Sequence, residues 1–312
     1  VKAARPKAGE ITVVDLDEPP GIGDEVIRIA AASICSSDLM YMRFGLERVI
    51  GHELAGVRAD GTGAVVEALY GCMECDLCLD GRYNLCPTHI HRALGSSADG
   101  GMAEQFRVPS QRLVALPPGL DVRDASLVEP ASVSWHALRL AGTGPDTRVA
   151  VVGAGALGLL AAAGARRQGA PEVAIEARHP HQAAAGERMG AEVGPTGLYD
   201  VVVEAAGSSE SLAHAVDLVA PGGTVVVVGF HMGTVEVNWS PLFHREARLI
   251  PSMSYCRHAN GREMEDAAAM LADDPEIART LITHRFPLED AVEAFRVAAD
   301  RKAGALRVVV EP

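Results

Sequence analysis

The sequence predicts an α/β protein of two domains, one built on a doubly wound parallel sheet and the other rich in β-strands. Three observations predict it. A run of β-prone apolar residues, 149–152, enters Gly153-x-Gly155-x-x-Gly158, and an alanine- and leucine-rich helical stretch and a second strand at 173–175 follow. Further apolar strands at 199–204 and 224–228 lead into Ala206-Gly207 and Gly229-Phe230; continuous apolar strands of this kind fit a parallel sheet covered on both faces. Residues 1–70 instead carry short strand-like runs, 11–14 and 25–30, separated by the turn Pro19-Pro20-Gly21-Ile22-Gly23.

Each glycine of the first motif has a mechanical reason. Gly153 makes the tight turn, Gly155 lets the backbone approach a pyrophosphate, and Gly158 allows the helix to pack closely on the strand. Ala156 and Leu157 lie where the helix opens, and its unpaired N–H groups would face the phosphates. Ala206 and Gly229, at the carboxyl ends of later strands, fall where dinucleotides bind in such sheets. In an NAD-binding unit an acidic residue about 20 positions downstream accepts the ribose 2′-OH. Here that position, at the end of the second strand, is Ala177, followed by Arg178 and His179. Alanine leaves room for a 2′-phosphate, and a guanidinium grips phosphate as a fork. The expected coenzyme is therefore NADP(H) in preference to NAD(H). Glu176 precedes Ala177, where strand alternation turns its side chain to the other face. A one-residue slip of this register would make Glu176 the ribose acceptor.

A length of 312 residues suits two domains. The net charge of −13 disfavours a nucleic-acid partner. The uncharged run 149–165 approaches membrane-span length, but its glycine turn and strand-to-helix switch suit a buried sheet core, so no membrane association is expected. The opening residues lack the long apolar core of a secretion signal, and a cytoplasmic protein is expected. Four of the six cysteines crowd together as Cys72, Cys75, Cys78 and Cys86. Dense C-x-x-C spacing reads as a metal cluster rather than disulfides. His231, His244 and His258 have no ligand spacing and read as surface or pocket-rim residues.

Cys35-x-Ser37-Asp38, Gly51-His52-Glu53, the four-cysteine stretch, Leu127-Val128-Glu129-Pro130 and the glycine motif occur in this order over essentially the whole chain. Together they resemble the zinc-dependent medium-chain dehydrogenases, of the branch that includes sorbitol and threonine dehydrogenases. The resemblance implies a GroES-like catalytic domain, residues 1–130 with 262–312, carrying two zinc sites, and a Rossmann domain of residues 131–261. It implies a catalytic zinc on Cys35, His52 and Glu129, with Glu53 beside the metal as an occasional ligand or holder of its water. Asp38 would steady His52, and Ser37 would pass on the proton of the alcohol. Three protein ligands leave a position open for substrate, so that zinc polarises an alcohol or ketone while hydride moves to or from the nicotinamide.

The acidic third ligand, Glu129, is that of the polyol-type branch, which makes a secondary alcohol or its ketone the expected substrate: a polyol, sugar or cyclitol. The four cysteines fit a closed structural zinc site. An iron–sulfur cluster is the rival, but ferredoxin motifs continue with three residues before Cys-Pro, whereas seven separate Cys78 from Cys86 here. The family resemblance also implies a homodimer or homotetramer. Two departures stand out. Met40 occupies the position, three beyond Ser37, where many relatives carry a proton-relaying histidine, and the segments flanking His52 are short. Two other readings are a threonine-type dehydrogenase using NAD and a zinc-free, quinone-reductase-like or purely nucleotide-binding protein. The first needs a partner for the substrate carboxylate; the second leaves Cys35, His52 and Glu129 without a purpose.

Overall fold

Strands of valine and alanine build a six-stranded parallel sheet in the order Glu192–Val193, Glu172–Glu176, Arg148–Val152, Tyr199–Glu204, Val219–Val227 and Arg248–Pro251. This computed structural model describes residues 1–300 and 302–312. The sheet belongs to the unit Pro130–Tyr255; Val1–Glu129 and Cys256–Pro312 form the other. Along the chain the strand order first runs outward from Arg148–Val152 in one direction and then in the other. The crevice for a ligand therefore lies at the carboxyl ends of Arg148–Val152 and Tyr199–Glu204, where the direction reverses. Helix Ser209–Leu218 buries Leu212, Ala215 and Val216 with Ala150, Val152, Ala174, Val202 and Val225. On strand Glu172–Glu176, Ile175 points the other way, towards helix Pro180–Arg188, where Gly186 leaves it space. Residues 221–223 form an irregularity within strand Val219–Val227: pairing passes from Tyr199–Val219 directly to Val201–Thr224.

The three glycines of the turn perform three different tasks. Gly153 has a φ of 108°, a backbone region costly for other residues. A Cβ on Gly158 would stand 1.8 Å from the carbonyl oxygen of Gly153, whereas a Cβ on Gly155 would meet nothing within 4 Å. Gly158 is thus required by packing, and Gly155 faces the open space that a ligand would fill.

The other unit centres on a seven-stranded sheet. Its path runs Ile282–Pro287, Arg307–Glu311, Glu25–Ser33, Glu53–Val57, Gly63–Val66 and Leu113–Ala115, with Gln105–Val108 also pairing with Glu25–Ser33. Ile27, Ile29, Leu54, Val66, Phe106, Val308 and Val310 form its core. The chain rejoins this unit at Cys256 rather than at residue 262. The reason is local: the Cys256 amide donates to the Glu263 carboxylate at 2.7 Å, and the Arg257 amide donates to the Gly81 carbonyl at 3.0 Å.

Gly158→Ala should destabilise the protein by about 1–3 kcal/mol, the usual cost of overpacking, whereas Gly155→Ala should leave stability unchanged and weaken dinucleotide binding. Thermal melting and coenzyme titration of the two variants check this. Equal melting temperatures would contradict it.

Candidate active site

Three neighbouring strands deliver the first cluster. Ser33 ends its strand opposite both Glu53 and Val309, so Cys35, Glu53 and Arg307 emerge close together. His52 immediately precedes Glu53. The ligating atoms of Cys35, His52 and Glu53 all lie within 4.8 Å of one another. Helix Ser36–Arg43 begins just after Cys35. From its first turn, Asp38 Oδ2 accepts a hydrogen bond from the Cys35 amide at 2.8 Å, while Oδ1 lies 3.2 Å from His52 Nδ1. One buried carboxylate thereby starts the helix and turns the imidazole so that Nε2 is the presented atom. Ser37 Oγ stands 3.4 Å from that Nε2.

Arg307 is the residue the sequence did not disclose. Almost fully buried, it donates from Nη1 to Glu53 Oε1 at 2.9 Å and to the Ile34 carbonyl at 3.0 Å. Glu53 Oε2 is buried without a hydrogen-bond partner. A buried carboxylate oxygen left free beside a thiol and an imidazole suits a metal ion, for which all three are normal donors. Glu129, near the start of helix Val128–Ala141, is also buried but stands outside the tight three-residue cluster. Burial pushes its carboxyl up to about 7; Glu53 and Asp38 add to that, and His52 and Arg307 oppose it. Burial works against a charged His52, yet Asp38 and Cys35 raise the imidazole well above its ordinary value. Cys35, His52, Glu53 and Glu129 could thus hold a zinc ion, which would replace protons as the balancing positive charge.

The second cluster is local. Cys72, Cys75, Cys78 and Cys86 bring their sulfurs within 4.8 Å of one another, with Cys72 to Cys78 and Cys75 to Cys86 both at 3.9 Å. The amides of Cys72 and Cys75 donate to Cys86 Sγ and Cys72 Sγ, each at 3.3 Å. Burial pushes the Cys78 thiol up to about 12. Cys86 is also buried, yet hydrogen bonds from Thr88 and the Cys72 amide bring it down to about 5. Four thiolates cannot share this space uncompensated, and a closed tetrahedral zinc site is the arrangement such a set fits. Tyr83, buried beside the cluster, donates to Glu67 at 2.7 Å and anchors the loop to the sheet.

In the parallel-sheet unit, Gly153 and Gly155 form the turn after strand Arg148–Val152, and Ala156, Leu157 and Gly158 open helix Ala156–Arg167. At the adjoining strand end, Glu204 is fully buried. Its Oε1 accepts from the amides of Ala206 and Gly207 at 2.9 and 2.7 Å and from Ser211 Oγ at 2.7 Å. Its backbone carbonyl accepts from the Val228 and Gly229 amides. His231, read as a surface or pocket-rim residue, is half-buried: its Nε2 lies 3.0 Å from Glu204 Oε2 and its side chain is 12% exposed. His258 likewise pairs with Asp266 at 2.7 Å, while His244 is exposed. Strand Glu172–Glu176 ends level with Val152. Ala177 follows, half-buried, then Arg178 and His179, both exposed. Arg178 places its charge near Glu210 in the first turn of helix Ser209–Leu218. Glu176 Oε2 is engaged by His214 Nδ1 at 2.6 Å.

A family model for the alcohol dehydrogenase GroES-like domain matches residues 21–118, and one for zinc-binding dehydrogenases matches residues 168–306. The chain is 30% identical over 307 residues to L-galactonate-5-dehydrogenase of Escherichia coli, with 88% of each chain covered. It is 29% identical over 332 residues to sorbitol dehydrogenase of Arabidopsis thaliana, covering 93% of this chain and 89% of that one. A crystal structure from Sinorhizobium meliloti, bound to NADP, superposes with a TM-score of 0.87 at 28% identity, over 100% of this chain and 99% of that one. Fold and sequence thus define a zinc-binding oxidoreductase that acts on CH–OH groups. The chain belongs to the zinc-dependent medium-chain alcohol dehydrogenase family, in its sorbitol dehydrogenase-like branch. Among the described residues no helix is long and apolar enough to cross a membrane.

Cys78→Ser should lower the melting temperature and remove one equivalent of zinc while the chemical step persists in the molecules that remain folded. A stable variant in which hydride transfer alone is lost would contradict the structural role. Zinc loading of the first cluster should release protons and weaken as pH falls through about 7. His52 and Glu129 hold protons unusually tightly without metal, and each must give its proton up to become a ligand. Zinc titrations against a chelator at several pH values check this; an affinity that does not change with pH would refute it.

Proposed function

We propose that the protein is an NADP-preferring, zinc-dependent dehydrogenase that moves hydride between a secondary alcohol and its ketone, with a polyol, sugar or sugar-like substrate. The observation that carries the chemistry is the close set of half-buried Cys35 and His52 with buried Glu53, and Ser37 beside the presented imidazole nitrogen. Zinc held by Cys35, His52 and Glu129 would supply the Lewis acidity that makes an alcohol proton easy to lose. Asp38 fixes the orientation of His52, a common arrangement for a metal-ligating histidine. Arg307 holds one oxygen of Glu53, leaving the other free for the metal or its water. Ser37 is the hydroxyl that takes up the substrate proton. Met40, one helical turn later, cannot carry a proton, so the transfer beyond Ser37 would have to end differently from that of relatives with a histidine there. A zinc-free nucleotide-binding protein would have no use for so many buried ionisable groups.

The coenzyme preference rests on the end of strand Glu172–Glu176. Ala177 presents no carboxylate to a ribose, and Arg178 is exposed and available for a 2′-phosphate. The NADP-bound relative from Sinorhizobium meliloti agrees with this reading, and the sorbitol and L-galactonate dehydrogenases agree with the substrate class. Fluorescence titration with NADPH and NADH tests the preference. We expect NADPH to bind at least about tenfold tighter, a difference of about 1.4 kcal/mol. Preferential binding of NADH would reverse the coenzyme assignment.

A further inference from the structure

We infer that His214 is a coenzyme-discriminating residue, which acts by holding the carboxylate of Glu176 away from the adenosine ribose. The inference rests on the NADP reading above and explains how a chain with a glutamate so near the specificity position can still favour a phosphorylated ribose. Glu176 is the last residue of its strand and pairs with Val152, directly before the glycine turn. An acidic side chain at this edge of the sheet is close to where a ribose 2′-OH is received. It would attract NAD(H) and repel the 2′-phosphate of NADP(H).

The backbone directs Glu176 towards helix Ser209–Leu218. Ala174, two residues earlier on the same face, and Val152, its partner across the strands, are both buried in the core that this helix covers. Ile175, on the opposite face, lies against Gly186 instead. On the helix, Leu212, Ala215 and Val216 enter that core, and His214 is left at its edge, within reach of the strand end. There Nδ1 meets Glu176 Oε2 at 2.6 Å. Both side chains remain partly exposed, 42% for His214 and 45% for Glu176, so without the imidazole the carboxylate is free to turn towards the ligand. Alternation aims Glu176 at the helix, and His214 keeps it there.

The test measures dissociation constants for NADPH and NADH in the wild type and in His214→Leu, His214→Asn, Glu176→Gln and the double variant His214→Leu/Glu176→Gln. Melting temperatures establish that each is folded. In His214→Leu the ratio of NADPH to NADH affinity should fall by about threefold to tenfold, the scale of one ordinary hydrogen bond. His214→Asn, whose amide nitrogen can stand where Nδ1 does, should keep the wild-type ratio. Glu176→Gln should also keep it, because the carboxylate it removes is already withdrawn. The double variant should recover the ratio that His214→Leu loses, which a purely structural role for His214 would not produce. An unchanged ratio in folded His214→Leu, or no recovery in the double variant, overturns the inference. If the wild type prefers NADPH in that case, the NADP reading stands and only the role of His214 falls. If the wild type prefers NADH and Glu176→Gln weakens NADH binding, both fall together. If the wild type prefers NADH but His214→Leu strengthens that preference further, the restraint on Glu176 stands and the NADP reading alone falls.

Discussion

An excess of buried acid around His52 is the constraint to which the catalytic unit is built. Cys35, Asp38, Glu53 and Glu129 converge there, and Arg307 is the permanent cation set among them. Burying charge without compensation is far more costly than an ordinary hydrogen bond is worth. Removing one partner of such a buried pair typically costs about 3–5 kcal/mol. The register of three strands therefore has to be maintained: Ser33 opposite Glu53 on one side and opposite Val309 on the other. A slip of one residue would turn Glu53 and Arg307 to opposite faces of the sheet. The positive charge that the protein itself does not provide is what a dication brings, so folding and metal binding draw on the same electrostatic imbalance.

The coenzyme unit handles its buried carboxylate differently. Glu204 is answered by the amides of Ala206 and Gly207, the hydroxyl of Ser211 and the imidazole of His231. These donors come from the segments after two adjacent strands, Tyr199–Glu204 and Val219–Val227, so the carboxylate ties those segments together at the carboxyl end of the sheet. Among the described residues no arginine or lysine is paired with it. The positive end of helix Ala156–Arg167 is thus left to the ligand, since a helix N-terminus favours anions. Glu53 is met by a guanidinium, whereas Glu204 is met by backbone amides, a hydroxyl and an imidazole.

Much of this was legible in the sequence, and the reason is spacing. The turn Gly153 to Gly158 and the four-cysteine stretch are chemically complete within a few residues, so pattern alone reveals them. Strand Tyr199–Glu204 has the bounds that its apolar run suggests. Arg307 could not be found this way, because its partner Glu53 is 254 residues away and nothing around an arginine that opens an apolar strand marks it as buried. Glu204 did carry a signal, a charged residue ending an otherwise apolar strand just before Ala-Ala-Gly, but the partners that explain it lie on other segments. The sequence left His231 only as a surface or pocket-rim residue, because its carboxylate partner Glu204 lies on another segment. Histidines are classified from sequence by ligand spacing, whereas His231 and His214 are defined by carboxylates that only the fold brings to them.

The two proposed metal sites divide along this same line, and the division has a physical consequence. The cysteine lobe draws all its ligands from residues 72–86, so it can assemble as soon as that loop meets zinc, with little dependence on the sheet. The other site needs the ends of three strands and the start of a helix that Glu129 occupies. Its geometry exists only when the sheet is complete, which suits a site that must keep a position open for substrate. A local site closes around its ion from every direction and becomes inert. A site made from distant segments can hold its donors on one side, because the surrounding fold, rather than the metal, fixes where they point. The buried, unpartnered oxygen of Glu53 is held in just this manner, with Arg307 gripping its other oxygen and strand pairing fixing its backbone.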